Sequence, residues 1–190
     1  DLDTSRGLGD VYKRQDGSGI GLTIRHGLSE PVVAEDIQIS DYSVGIKLHA
    51  HDFEDPATAI LRNISIDSTE ALSIEFFDLR VESSSLNGDL SIAGSTVDAV
   101  DSTLTGSESI DAGGQLNEWS SHSLHAVLNG EVVEASYVLT SDIMNEPLVF
   151  SGMFVDVELL YEQTTSVGSA SITEVSAEVV SALSLSLIHI

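Results

Sequence analysis

His49-Ala50-His51 places two imidazoles two residues apart, with Asp52, Glu54 and Asp55 close behind. On a strand, residues i and i+2 share a face, so His49 and His51 would point the same way. Imidazole and carboxylate together suit zinc or another divalent ion. The candidate metal ligands are therefore His49, His51 and Asp52. Spacing fixes no further ligand and Pro56 argues for a loop, so a polar excursion between two strands accounts for the same residues. His122 and His125 are three apart in a strand-like stretch and need not share a face.

Carboxylates raise a second possibility. Glycoside hydrolysis uses paired acids, one protonating the leaving group and one activating water or attacking directly. Glu35-Asp36 and Glu54-Asp55 are adjacent pairs, whose side chains diverge on a strand. A polysaccharide lyase would need calcium-binding acids near a basic residue, but basic residues are few and Lys47 and Arg80 sit mid-triplet, pointing outward. No catalytic set emerges, and a solvated acidic face accounts for these residues. Calcium or another divalent ion would bridge the acidic loops without catalysis, although no EF-hand and no Gly-Gly-x-Gly-x-Asp repeat is present. Asp16-Gly17-Ser18-Gly19 lacks the Gly-Lys-Ser/Thr of a phosphate loop, so no cofactor is assigned. Asn63-Ile64-Ser65 is a glycosylation triplet whose Ile64 falls at an expected core position.

The elements that must position these residues are strands. The chain carries 31 acidic and 7 basic residues, for a net charge of −24, and no cysteine. That balance excludes nucleic acid as a partner, because phosphate contacts need clustered Lys and Arg. It disfavours anionic membrane surfaces. Disulfides, thiolate metal sites and a cysteine nucleophile are excluded. No apolar run is long enough to span a membrane. Hydrophobic residues make up 42% of the chain, enough for a folded core.

From Gly19 to about Ile110, apolar residues alternate with polar ones in short runs. Ile37-Gln38-Ile39 leads to Gly45-Ile46-Lys47-Leu48, Ile64-Ser65-Ile66 to Leu72-Ser73-Ile74, and Leu79-Arg80-Val81 to Leu90-Ser91-Ile92. Polar turns such as Ser40-Asp41-Tyr42-Ser43 and Ser83-Ser84-Ser85 separate the runs. The irregular period suits stacked repeats whose units bury their apolar faces only on one another. Glu35-Asp36-Ile37-Gln38-Ile39-Ser40 and Leu61-Arg62-Asn63-Ile64-Ser65-Ile66-Asp67-Ser68 resemble rungs of the right-handed parallel β-helix superfamily, which includes pectate-lyase-like enzymes and many surface proteins. The resemblance implies an all-β fold with β-helix rungs over residues 16–114. An antiparallel sandwich with similar alternation is the alternative.

After Asp111-Ala112-Gly113-Gly114 the pattern changes. Leu124-His125-Ala126-Val127-Leu128 and Glu131 to Leu139 flank Asn129-Gly130, the strongest short hairpin signal. Leu148-Val149-Phe150 and Phe154 to Tyr161 flank Ser151-Gly152 and read as a second strand pair. The order resembles small prealbumin-like or immunoglobulin-like accessory sandwiches, implying a β-sandwich over residues 115–164. Residues 165–184 read as one more strand or the start of a further domain.

The two ends read differently. Leu185-Ser186-Leu187-Ile188-His189-Ile190 resembles the translation of a transposase mosaic-end adapter used in tagmentation libraries. Asp10-Val11-Tyr12-Lys13-Arg14-Gln15 resembles the same element in reverse complement, and Ser5-Arg6-Gly7-Leu8-Gly9 fits the adjoining primer. The resemblance implies that residues 1–15 and 185–190 are non-native and that residues 16–184 are an internal piece of a longer metagenomic reading frame. Three charges of each sign leave with residues 1–15, so the whole acidic excess belongs to residues 16–184.

These readings lead to a secreted or cell-surface β-helix scaffold, structural or adhesive, that contacts carbohydrate or other cell-surface proteins and is not itself an enzyme. The alternative is a piece of a carbohydrate-active β-helix enzyme, lyase or glycoside hydrolase, whose catalytic rungs lie elsewhere.

Overall fold

The computed structural model describes residues 11–12, 19–25, 31–50, 57–111, 113–141, 146–171 and 175–182. Strands dominate and no helix occurs among them. Nineteen strands run in order: β1 (Val11–Tyr12), β2 (Ile20–Arg25), β3 (Val32–Glu35), β4 (Gln38–His49), β5 (Ala57–Arg62), β6 (Ser65–Glu75), β7 (Phe77–Glu82), β8 (Ser85–Ala93), β9 (Thr96–Val100), β10 (Thr103–Thr105), β11 (Glu108–Ile110), β12 (Gln115–Leu124), β13 (Ala126–Leu128), β14 (Glu131–Val133), β15 (Ala135–Ser141), β16 (Leu148–Gly152), β17 (Val155–Thr165), β18 (Gly168–Ser171) and β19 (Val175–Ala182).

The chain divides into two compact units, one running to Trp119 and including Gln163–Ala170, the other holding Ser120–Glu162 and the residues from Ser171. The first unit is a β-solenoid. From β2 to β10 successive strands alternate between two sheets, and each pairs in parallel with the next but one. One sheet follows the order β1-β2-β4-β6-β8-β10, with β11 also on β8; the other follows β18-β17-β12-β9-β7-β5-β3. Val11–Tyr12 adds to β2 as a short antiparallel pair.

Register stacks like on like. Ile39, Ile66 and Leu86 occupy one column, followed by Leu104. Ile24, Leu48, Ile74, Ile92 and Ile110 form another. In the second sheet Val32, Ala59, Leu79, Val97 and Leu116 align. These columns fill a single narrow core, in which Ile24, Leu48, Leu61, Leu72 and Phe77 have no exposed surface. The alternation expected from sequence is present: Ile39, Ile46, Leu48, Ile66, Leu72, Ile74, Leu90 and Ile92 are all buried. Gln38 and Ser65, between them, are exposed.

The polar turns are built in two ways. Ser40-Asp41-Tyr42-Ser43 does not end a strand; it bends β4, where the register with β6 shifts and Asp41 takes φ 65°. At the corner between the sheets, Asp36, Asn63, Ser83 and Asp101 all adopt left-handed φ, from 47° to 56°. Each corner amide reaches the next rung: Asp36 to the Arg62 carbonyl, Asn63 to Glu82, Ser83 to Val100 and Asp101 to Trp119, at 3.0–3.1 Å. The backbone ladder thus continues around the corner. Asn and Asp tolerate the left-handed region better than most residues.

Side chains extend the ladder where the apolar column fails. Ser84 is buried. Its Oγ accepts from the Ile64 amide at 3.0 Å and donates to the Glu82 carbonyl at 2.7 Å. Ser102 Oγ accepts from the Ser84 amide at 3.1 Å. At the opposite corner, buried Ser95 accepts from the Phe77 amide and donates to the Ala93 carbonyl.

In the second unit the Asn129-Gly130 hairpin forms, with Val127 opposite Val132 and φ of 54° and 87° at the two turn residues. Both turn residues thus have the positive φ that a type I′ turn requires. A three-stranded antiparallel sheet has the order β16-β15-β19. The expected pairing across Ser151-Gly152 is not the one formed: β16 pairs with β15, and β17 belongs to the long sheet. Apolar matching explains the choice, since Leu148 and Phe150 lie opposite buried Leu139 and Tyr137.

Candidate functional site

The outer face of the second sheet of the solenoid gathers the chemistry. Val33, Ile60, Arg80, Asp98 and Asn117 align in one row, and Glu35, Arg62, Glu82, Val100 and Trp119 in the next. Alternation places both rows outward, because Leu61, Leu79, Val81 and Leu116 between them fill the core.

The first part of this face is ionic. Arg62 donates from Nη1 to Glu35 at 2.8 Å and from Nε to Glu82 at 2.7 Å, spanning three consecutive rungs. Arg80 Nε reaches the other Glu82 oxygen at 2.5 Å. Hydrogen bonds from Arg80 and then Arg62 hold the Glu82 carboxyl below the usual carboxylate range, and the same contacts with Glu35 and Glu82 raise Arg62 further. A general acid needs the opposite shift, towards neutral pH. These groups brace rungs.

The second part is amide and aromatic. Asp98 Oδ1 accepts from Asn117 Nδ2 at 2.8 Å and from the Trp119 indole Nε1 at 3.0 Å. Gln115 Nε2 and Gln163 Nε2 both donate to Asn117 Oδ1, at 2.7 and 2.9 Å. Asn117 is 6% exposed, and Val100, outside the main core cluster, is buried beside Trp119 in the register. Asp98, Gln115, Asn117, Trp119 and Gln163 are thus joined in one hydrogen-bonded network. A half-buried indole held by a carboxylate and flanked by planar amides offers an apolar plate with donors and acceptors at its rim.

Of the expected metal ligands, His49 ends β4 with Nδ1 2.7 Å from Glu75 Oε2, its register partner one rung on. His51 and Asp52 lie outside the described residues. Among the described residues no group of three or more His, Asp or Glu is placed to hold a metal ion. His122 and His125 are exposed, and His125 lies tilted against Phe154 with ring centroids 6.0 Å apart. Glu35 and Asp36 diverge as expected: Glu35 pairs with Arg62, while Asp36 Oδ1 accepts from Asn63 Nδ2 at 2.6 Å; Glu54 and Asp55 lie outside the described residues. No helix among the described residues is long and apolar enough to cross a membrane.

Asp98, Asn117 and Trp119 did not stand out in the sequence as a site. Their signal is register: Asp98 and Asn117 stand 19 residues apart, one rung, with the sole Trp two residues on. Comparison with protein-family models, curated proteins and solved structures returned no match.

Proposed function

We propose that this chain is a non-enzymatic scaffold of a secreted or cell-surface protein, a rigid β-helix segment of right-handed coil that contacts neutral carbohydrate through the face around Trp119. The trailing strands are read as an accessory sandwich of prealbumin or immunoglobulin type, and residues 16–184 as the biological segment. The observation that carries the sugar-contacting role is the Asp98–Asn117–Trp119 cluster. Pyranose rings present an apolar face and a rim of hydroxyls, which an indole and flanking amides and carboxylates complement. The charge of −24 repels acidic polymers, leaving uncharged ones as the fitting class. The scaffold role rests on the ionic half of the face, where the charged groups are spent on bracing successive rungs.

Affinity electrophoresis tests the proposal. Native gels cast with neutral polysaccharides, such as a β-glucan or a galactomannan, should retard the chain, whereas pectate or alginate should not. Asp98→Ala, with unchanged circular dichroism, should migrate freely. Equal mobility in every gel would reject the carbohydrate reading.

A further inference from the structure

The chain contains the same short sequence twice: Leu86-Asn87-Gly88-Asp89 and Leu128-Asn129-Gly130-Glu131, each Leu-Asn-Gly followed by an acid. In Asn-Gly the glycine backbone nitrogen can attack the asparagine side-chain carbon Cγ, because glycine has no side chain to shield it. The N–Cγ bond forms, the Cγ–Nδ2 bond breaks, and Nδ2 leaves as ammonia with the glycine amide proton. Water then opens the cyclic imide. Opening at Cγ leaves aspartate. Opening at the α-carbonyl leaves isoaspartate, whose backbone runs through Cβ and Cγ. Water is the only reagent consumed.

The two copies differ in what surrounds them. Asn87 lies within β8. Its Nδ2 donates to Asp67 Oδ1 at 2.9 Å and its Oδ1 accepts from Thr105 Oγ1 at 2.9 Å, so both ends of the amide are tied to neighbouring rungs. Gly88 is packed on the preceding rung: a Cβ there would lie 2.1 Å from the Ser68 carbonyl oxygen and 2.9 Å from the Ala71 nitrogen. Swinging Cγ onto the Gly88 nitrogen would break two hydrogen bonds and displace packed backbone. Asn129 and Gly130 are instead the exposed tip of the β13–β14 hairpin. Leu128 and Glu131 close the ladder behind them, so the Gly130 nitrogen stands outside it. Among the described residues nothing lies within 4 Å of the position a Gly130 Cβ would take.

We propose that Asn129 is a self-modification site, converting with water alone to aspartate and isoaspartate in the folded chain, whereas Asn87 in the same sequence is protected by its rung. The product acts on the turn. A type I′ turn needs positive φ at both central residues, and Asn129 and Gly130 have 54° and 87°. Isoaspartate adds a carbon to the backbone between them, so the two-residue geometry that sets Val127 opposite Val132 is lost. Both products also place a new carboxylate close to Glu131, in a chain already at −24. The hairpin therefore ages while the solenoid rung does not.

Peptide mapping by mass spectrometry tests this, on the full chain held in mildly alkaline buffer and sampled over weeks. Replacing an amino group by a hydroxyl shifts the peptide mass, and isoaspartyl and aspartyl peptides separate on elution. The expected result is conversion at Asn129 at least tenfold faster than at Asn87 in the native chain. In guanidinium chloride the two rates should become equal, since only the fold tells the two sequences apart. Asn129→Gly leaves Gly-Gly, which a type I′ turn accepts, and should abolish the main acidic species that ion exchange resolves from aged protein. No conversion at Asn129, equal rates in the native chain, a difference that persists in denaturant, or an acidic species undiminished in N129G would each overturn the proposal. None of these outcomes depends on glycan binding.

Discussion

Glu82 shows how much of the charged chemistry here is structural. Its carboxyl is held below the ordinary range by Arg80 first and Arg62 second. A depressed carboxylate stabilises the fold above its unfolded pKa, and that contribution is lost as pH falls through the folded value. The pairs face solvent, which screens them and keeps their worth small. Glu82→Gln should therefore lower the melting temperature slightly at pH 7, and the gap to wild type should close below about pH 4. Parallel thermal melts of the two chains from pH 7 to pH 3 check it; a gap that widens in acid would contradict the assignment. Gly88 is a stricter position. It adopts φ 135°, and a Cβ there would lie 2.1 Å from the Ser68 carbonyl oxygen. Both conformation and space forbid a side chain, so Gly88→Ala should cost more than about 1 kcal/mol, read from the urea midpoint.

At the scale of the strand, the sequence was most legible where alternation is strict. Ile64-Ser65-Ile66 and Leu72-Ser73-Ile74 announce an in-out-in pattern, and Ile64, Ile66, Leu72 and Ile74 are all buried. What alternation cannot show is where a strand bends without ending, because a bent and an interrupted strand share the same period. Ser40-Asp41-Tyr42-Ser43 therefore read as a turn although β4 runs through it. Nor does the pattern show which strands become neighbours: alternation alone matches Leu148 to Phe150 with the next strand along, while apolar complementarity joins it to β15. The Asp98–Asn117–Trp119 cluster was hidden for the same reason, since it exists only once two rungs are in register. The Asn129-Gly130 hairpin, by contrast, was readable, because two adjacent residues suffice to specify it. Ile66, 1% exposed at the centre of its column, gives the test of stacking. Ile66→Ala should destabilise by about 2–5 kcal/mol, and hydrogen exchange should show lost protection in β4, β6 and β8 together. Loss confined to β6 would mean that the rungs do not share one core.

At the scale of the molecule, the solenoid unit serves two demands. Its narrow continuous core lets each rung bury its apolar side chains on the next. The outside is then free for charge, and nearly all of it is acidic. Self-repulsion of that surface works against the folded state, so the melting temperature should rise between 0.05 and 1 M sodium chloride as the Debye length shortens to about 3 Å. Differential scanning calorimetry across that series reads it, and a flat response would show that charge does not limit this fold. The functional reading rests on the place along the solenoid where ionic bracing gives way to amides and an indole. Trp119 is the only tryptophan in the chain, so tryptophan emission reports that place alone. The most direct measurement is a fluorescence titration of the intact chain with neutral oligosaccharides, with acidic ones in parallel. A saturable shift or quench with neutral sugars, absent with acidic ones and lost in Asp98→Ala, is the predicted result; emission that stays constant throughout the neutral series would contradict the account.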